Sequence, residues 1–78
     1  MTQRSTKSVT NSIRALRFTT GEMTQQELAN RVGVTRQTIV AIEQDRYAPS
    51  LEIAFRIAEV FGRPIEGVFH YRGGRGGE

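Results

Sequence analysis

From residue 9 to residue 69 the apolar positions recur at three- and four-residue spacings, the signature of helices that each bury one face. Val9, Ile13 and Leu16 fall at i, i+4 and i+7 and predict a first helix over roughly residues 8 to 18. Thr19-Thr20-Gly21-Glu22 is the loop that follows, with Gly21 as the stop. Leu28, Ala29 and Val32 predict a second helix over residues 25 to 32, and Ile39 and Ile42 the inward face of a third, over residues 35 to 44. Leu51, Ala54, Ile57, Ala58 and Phe61 form a broad stripe on a fourth helix, which Ser50 caps and Gly62 ends. Pro64 suits the first turn of a fifth, whose apolar face is Ile65, Val68 and Phe69. No strand alternation and no internal repeat accompanies these stripes. The pattern predicts a compact all-α domain of five helices over residues 8 to 70.

Between the stripes, the polar residues supply the ends of the helices. Thr24-Gln25-Gln26-Glu27 is a capping box, with the Thr24 hydroxyl serving a free backbone amide and Glu27 reaching back. Thr35 is the N-cap of the third helix. Gly33 breaks the second helix at a position where positive φ is required and only glycine escapes Cβ strain. Asp45, where the chain leaves the third helix, is a second candidate for positive φ, which aspartate tolerates better than most residues.

The turn between the second and third helices is too short for an antiparallel pair and forces a steep crossing, the layout of a helix-turn-helix. Counting Gln25 as the first residue, a small Ala29, the turn residue Gly33 and the gap-filling Ile39 stand at positions 5, 9 and 15. A generic corner between two helices could share this spacing but leaves the exposed side of the third helix unexplained. That side is Thr35, Arg36, Gln37, Thr38, Val40 and Ala41. Arg36 has the bidentate geometry for guanine O6 and N7, Gln37 that for adenine N6 and N7, and Val40 or Ala41 can touch a thymine methyl. Thr35 and Thr38 are candidates for phosphate. Gln25 begins the second helix, where free amides and the positive end of the dipole favour an anion. Arg46 and Tyr47, just past the third helix, either clamp the nucleic-acid backbone or cover the following loop. Arg17 and Glu43 are expected to form a structural ion pair between the first and third helices.

Composition narrows the function classes. A chain of 78 residues is one small domain with a modest core. It holds no cysteine, so disulfides, thiol chemistry and cysteine zinc sites are excluded. Eleven cations against eight acids give +3 and a pI near 10.2, and all the cations but Lys7 are arginine, the side chain suited to phosphate and guanine. With one histidine, no phosphate loop and no carboxylate pair, the expectation is a non-enzyme without metal, cofactor or small-molecule ligand. No apolar run is long enough to span a membrane and the N-terminus lacks a secretory signal, so the chain is expected to stay in the cytoplasm. Residues 1 to 7 read as a flexible arm in which Arg4 and Lys7 can add phosphate or minor-groove contacts. Residues 71 to 78 read as a disordered Gly/Arg tail, with His70 incidental at its edge.

Over residues 13 to 69 the chain resembles the Xre/Cro-type, phage-repressor-like helix-turn-helix transcriptional regulators. The likeness rests on TQxELAxxxGVTRQTIxxIE followed by YxPSLxxAFRIAxxFxxxIExVF, in matching order and spacing. It implies a five-helix, lambda-repressor-like domain that sets the third helix in the major groove of double-stranded DNA. Carried over, Gln25 contacts phosphate, Arg36, Gln37 and Val40 or Ala41 face bases, and Arg17 with Glu43 is the family's edge salt bridge. Two departures are visible: the loop after the first helix is one residue longer than usual, and Asp45 stands where many members have glycine. The resemblance further implies a homodimer on a palindromic operator, with half-sites about 34 Å apart. Ile65, Val68 and Phe69 on the fifth helix either form that dimer face or close the core. The expectation is a transcriptional regulator, a repressor in character. An antitoxin that binds a toxin and autoregulates its operon would use the same DNA surface. An RNA-binding protein is a further alternative, suggested by RGGRGG.

Overall fold

The computed structural model describes residues 8–71. A short strand β1 (Val9–Asn11) leads into α1 (Ile13–Thr19), α2 (Gln25–Val32), α3 (Arg36–Glu43) and α4 (Leu51–Phe61), and the chain closes through a 3-10 turn (Ile65–Gly67) and a second strand β2 (Phe69–Tyr71). The strands pair antiparallel with Val9 opposite Tyr71, Thr10 opposite His70 and Asn11 opposite Phe69. Four α-helices and a two-stranded sheet therefore replace the five helices expected.

Both differences lie at the chain ends and have local causes. The first helix starts at Ile13 rather than residue 8 because Asn11 and Ser12 form a junction. Asn11 Oδ1 accepts the Ile13 N–H at 3.1 Å, and its Nδ2 donates to the Ile42 carbonyl at 2.8 Å and to Asp45 Oδ1 at 3.2 Å. The Ser12 N–H donates to the Val68 carbonyl at 2.9 Å. Val9 stands in β1 and is only half-buried, so its spacing to Ile13 and Leu16 does not mark a helical face. At the other end Pro64 is the extended residue before the turn, and Gly67, a poor helix former, ends the turn after three residues. Strand pairing to β1 then takes over at Phe69, and Tyr71 lies in β2. The N-terminal arm and residues 72–78 of the Gly/Arg tail lie outside the described residues.

The helix ends expected between residues 24 and 62 are all present. Thr24 and Glu27 make the reciprocal capping box, and Thr35 and Ser50 accept from the amides of Thr38 and Ile53. Gly33 stands at φ +88°, Gly62 at +66° and Asp45 at +60°. The left-handed Gly33 turns its own N–H and that of Val34 back onto the Ala29 carbonyl, at 2.8 and 3.0 Å, closing α2 within one residue. A Cβ there would stand 3.3 Å from Arg56 Nη1, which would have to give by a few tenths of an ångström.

One core joins all the helices: Ile13, Leu16, Met23, Leu28, Ala29, Val32, Ile39, Ile42, Ile57, Ala58 and Val68, with Val34, Phe61, Ile65 and Phe69 packed against it. Ile39 is wholly buried between α2 and α3, as the motif spacing required. Leu51 departs from the expected stripe and is 67% exposed, because α4 turns Ala54, Ile57 and Ala58 inward and leaves its first residue on the outer side. Among the described residues no helix is long and apolar enough to cross a membrane.

Candidate nucleic-acid interface

Arg17 and Glu43 fix the angle between α1 and α3. Arg17 Nε donates to Glu43 Oε2 at 2.7 Å and Nη2 donates to Oε1 at 3.1 Å, while Nη1 donates to the Met23 carbonyl at 2.9 Å. Both side chains are almost wholly buried. Such a two-toothed, charge-assisted contact has strict geometry, so one arginine locks α1, the loop before α2 and the end of α3 together.

Gln25 is drawn into the same network, donating from Nε2 to Glu43 Oε1 at 3.2 Å. Its side chain is thereby held at the N-terminus of α2, with the second Nε2 hydrogen left over. The capping box occupies the amide of Glu27, and the Leu28 amide donates to the Thr24 carbonyl. The first amides of α2 remain as donors, beside the positive end of the helix dipole.

On α3, Arg36 and Gln37 are exposed, and Val40 and Ala41 are half-buried between them and the core. Arg36, Gln37, Val40, Ala41, Gln44 and Arg46 line one shallow groove, so every residue expected to face bases shares a single surface. Thr35 and Thr38 are partly committed to each other. Their hydroxyls lie 3.0 Å apart, and the Thr38 amide donates to Thr35 Oγ1 at 3.2 Å. One hydroxyl proton of the pair is left to donate outward. Arg46 Nη1 donates to Gln44 Oε1 at 2.9 Å, which holds the guanidinium beside the C-terminal end of α3. Tyr47 is about half exposed and lines a depression with Thr35, Gln37, Thr38 and Ala41, on the opposite flank of α3 from Gln25.

A second groove runs between α1 and α3 at the start of α2, and its residues Arg14 and Phe18 on α1 were not expected from the sequence. Arg14, exposed on α1, lies over the Phe18 ring at 5.8 Å, and both line this groove with Gln25, Gln26 and Arg36. The available signal was the position of Arg14 three residues before Arg17, on the neighbouring stripe of the same helix. Arg14, Arg36 and Arg46 give the surface three cations, while Arg17 offsets the nearby Glu43 carboxylate.

The proposed dimer residues fare differently from one another. Val68 is wholly buried, so it belongs to the core and offers a second copy no surface; Ile65 and Phe69 are half-buried against the same core. His70 is part of β2 rather than the tail, and its Nε2 lies 2.8 Å from Ser12 Oγ. Among the described residues no group of three or more histidine, aspartate or glutamate side chains is placed to hold a metal.

Fold and surface together define a helix-turn-helix domain with a polar, arginine-bearing third helix. Comparison with known proteins agrees: the helix-turn-helix family matches residues 13–68, and the chain belongs to that family. It is similar to an uncharacterized HTH-type transcriptional regulator of Methanocaldococcus jannaschii, 55% identical over 49 residues that cover 63% of this chain and 74% of that one. It is also similar to the uncharacterized HTH-type transcriptional regulator YgzD of Bacillus subtilis, 44% identical over 59 residues, 76% of this chain and 88% of the relative. A more distant likeness is to the cryptic phage CTXphi transcriptional repressor RstR of Vibrio cholerae, 36% identical over 44 residues, 56% of this chain and 40% of the repressor. The crystal structure of a putative DNA-binding protein from Bacteroides fragilis superposes with a TM-score of 0.68 over 80% of this chain and 98% of that chain, at 21% identity, a likeness of fold alone.

Proposed function

We propose that this chain is a cytoplasmic, sequence-specific transcriptional regulator that binds double-stranded DNA with α3 in the major groove and acts as a repressor. The observation that carries this reading is the pairing of Arg36 and Gln37, both exposed at the first turn of a helix that the Arg17–Glu43 contact holds rigid. Two long bidentate side chains on a fixed helix are what base-edge recognition requires, whereas solvated surface alone would not need the helix fixed. Arg36, Gln37, Val40 and Ala41 then face bases. Gln25, Thr35, Thr38, Arg46 and Tyr47 hold phosphates on the two flanks of α3, and Arg14 joins them. The regulators and the phage repressor among its relatives support the same reading.

We further propose that two copies bind a palindromic operator, since a single domain of this size reads too few bases for a unique site and a dimer doubles the contact. The test is binding to duplex DNA and to single-stranded RNA over a range of salt. The reading expects tighter binding to the duplex, with affinity falling steeply as salt rises. Preference for the single-stranded RNA would contradict it.

A further inference from the structure

α1 carries an aromatic side chain that the core does not use. The helix turns Ile13, Leu16 and Arg17 inward, whereas Phe18 is 55% exposed. Two guanidinium groups stand over its ring, Arg14 at 5.8 Å and Arg17 at 5.9 Å from the centroid. They are not equivalent. Arg17 is committed to Glu43 and to the Met23 carbonyl. Arg14 is exposed and makes no hydrogen bond or ion pair among the described residues, so it rests on the ring alone, a cation against an electron-rich face.

The position of this pair bears on what it contacts. Arg14 and Phe18 border the groove shared with Gln25 and Arg36, and on the other side a hollow shared with Asn11, Ser12 and Ala15. They therefore form a rib between two hollows, beside the N-terminus of α2. Among the described residues Glu43 is the one acid lining either hollow, and Arg17 neutralises it, so the surroundings of the rib are cationic.

A DNA backbone alternates anionic phosphates with sugar rings whose outer surface is largely C–H, and protein contacts fall on both. With α3 in the major groove, the N-terminus of α2 meets that backbone, and the rib beside it meets the same strand. An arginine with no partner in its own chain suits a phosphate. A phosphate site by itself has no need of an exposed ring, which costs solvation free energy while the protein is unbound. Covering the ring with sugar C–H surface on binding offsets that cost.

We infer that Phe18 is a contact for a deoxyribose ring of the DNA backbone, with Arg14 on the adjoining phosphate. The inference rests on the DNA-binding reading above and adds to it a contact that is apolar and independent of base sequence.

Two variants of the full chain separate the apolar contact from the ionic one, with a labelled mixed-sequence duplex as the probe. Phe18→Ala should bind it roughly fivefold more weakly with an unchanged slope of log affinity against log salt, because an apolar contact releases no counterion. Arg14→Ala should lower that slope by about one. Thermal unfolding confirms that each variant is folded. The chain has no tryptophan, so Phe18→Trp reports on this position directly. Its quenching by acrylamide should fall when the duplex is added, and this decides the matter alone if Phe18→Ala does not fold. Phe18→Ala binding as tightly as the wild type, or a tryptophan as open to acrylamide with duplex as without, would overturn the sugar contact and leave the DNA-binding reading intact. A Phe18→Ala loss that comes with a lower salt slope would also overturn it, since the ring would then act only by holding Arg14. A wild type that does not bind the duplex would overturn both readings.

Discussion

Arg17 and Glu43, twenty-six residues apart, meet through two hydrogen bonds of 2.7 and 3.1 Å, with both side chains largely buried. The pair sits behind the proposed DNA surface, and Gln25 hangs from its carboxylate at 3.2 Å. It sets the position of α3 relative to α1 and holds one candidate phosphate ligand in place.

Breaking that pair from one side should be far worse than removing it. Arg17→Ala leaves a buried carboxylate without its cation and should cost about 3–5 kcal/mol, enough to unfold much of a domain this small. The double variant Arg17→Met with Glu43→Leu removes both charges and should recover most of that loss. Urea denaturation of the single and double variants checks this; equal stability of the two would mean that the pair's burial carries no penalty.

Val68 separates core from interface. Val68→Ala should lower stability by about 2 kcal/mol, because the site is closed on all sides and leaves a cavity. The loss should not depend on protein concentration. A midpoint that shifts only at concentrations where the chain associates would return Val68 to an interface.

At Gln37 the expectation concerns specificity. Gln37→Ala should cost about 1–3 kcal/mol of affinity for the preferred duplex and relax the preference at one base position. Titration against a set of duplexes with single base changes reads both quantities, and an unchanged profile removes Gln37 from the base-reading group.

Arg46 should behave in the opposite way. Arg46→Ala should weaken binding to all duplexes alike and reduce the slope of log affinity against log salt by about one. A loss confined to one sequence would mean that Arg46 reads a base rather than a phosphate.

The central part of the fold was legible because its signals are local. Thr24, Gly33, Thr35, Ser50 and Gly62 act on backbone atoms within four residues, so their identity announces the helix ends. Ala29, Gly33 and Ile39 act across one turn, and their spacing survives in the sequence. The chain ends were not legible. Val9–Asn11 and Phe69–Tyr71 become strands only because each finds the other, more than fifty residues away, and neither alternates strongly enough to show it. Val68 could be either core or interface in the sequence because apolarity does not say which side is covered. Leu51 was assigned inward because helical spacing gives a face and not its width. At the site, Arg14 was missed because its relation to Gln25 and Arg36 exists only once α1 is docked.

The most direct test of the DNA-reading account is selection of bound duplexes from a random pool, run in parallel with the wild type and with a variant carrying both Arg36→Ala and Gln37→Ala. The account predicts an enriched palindrome for the wild type, with half-sites about one helical turn apart, and loss of preference at the corresponding bases for the variant. No enrichment by the wild type, or the same enriched sequence from both proteins, would contradict it.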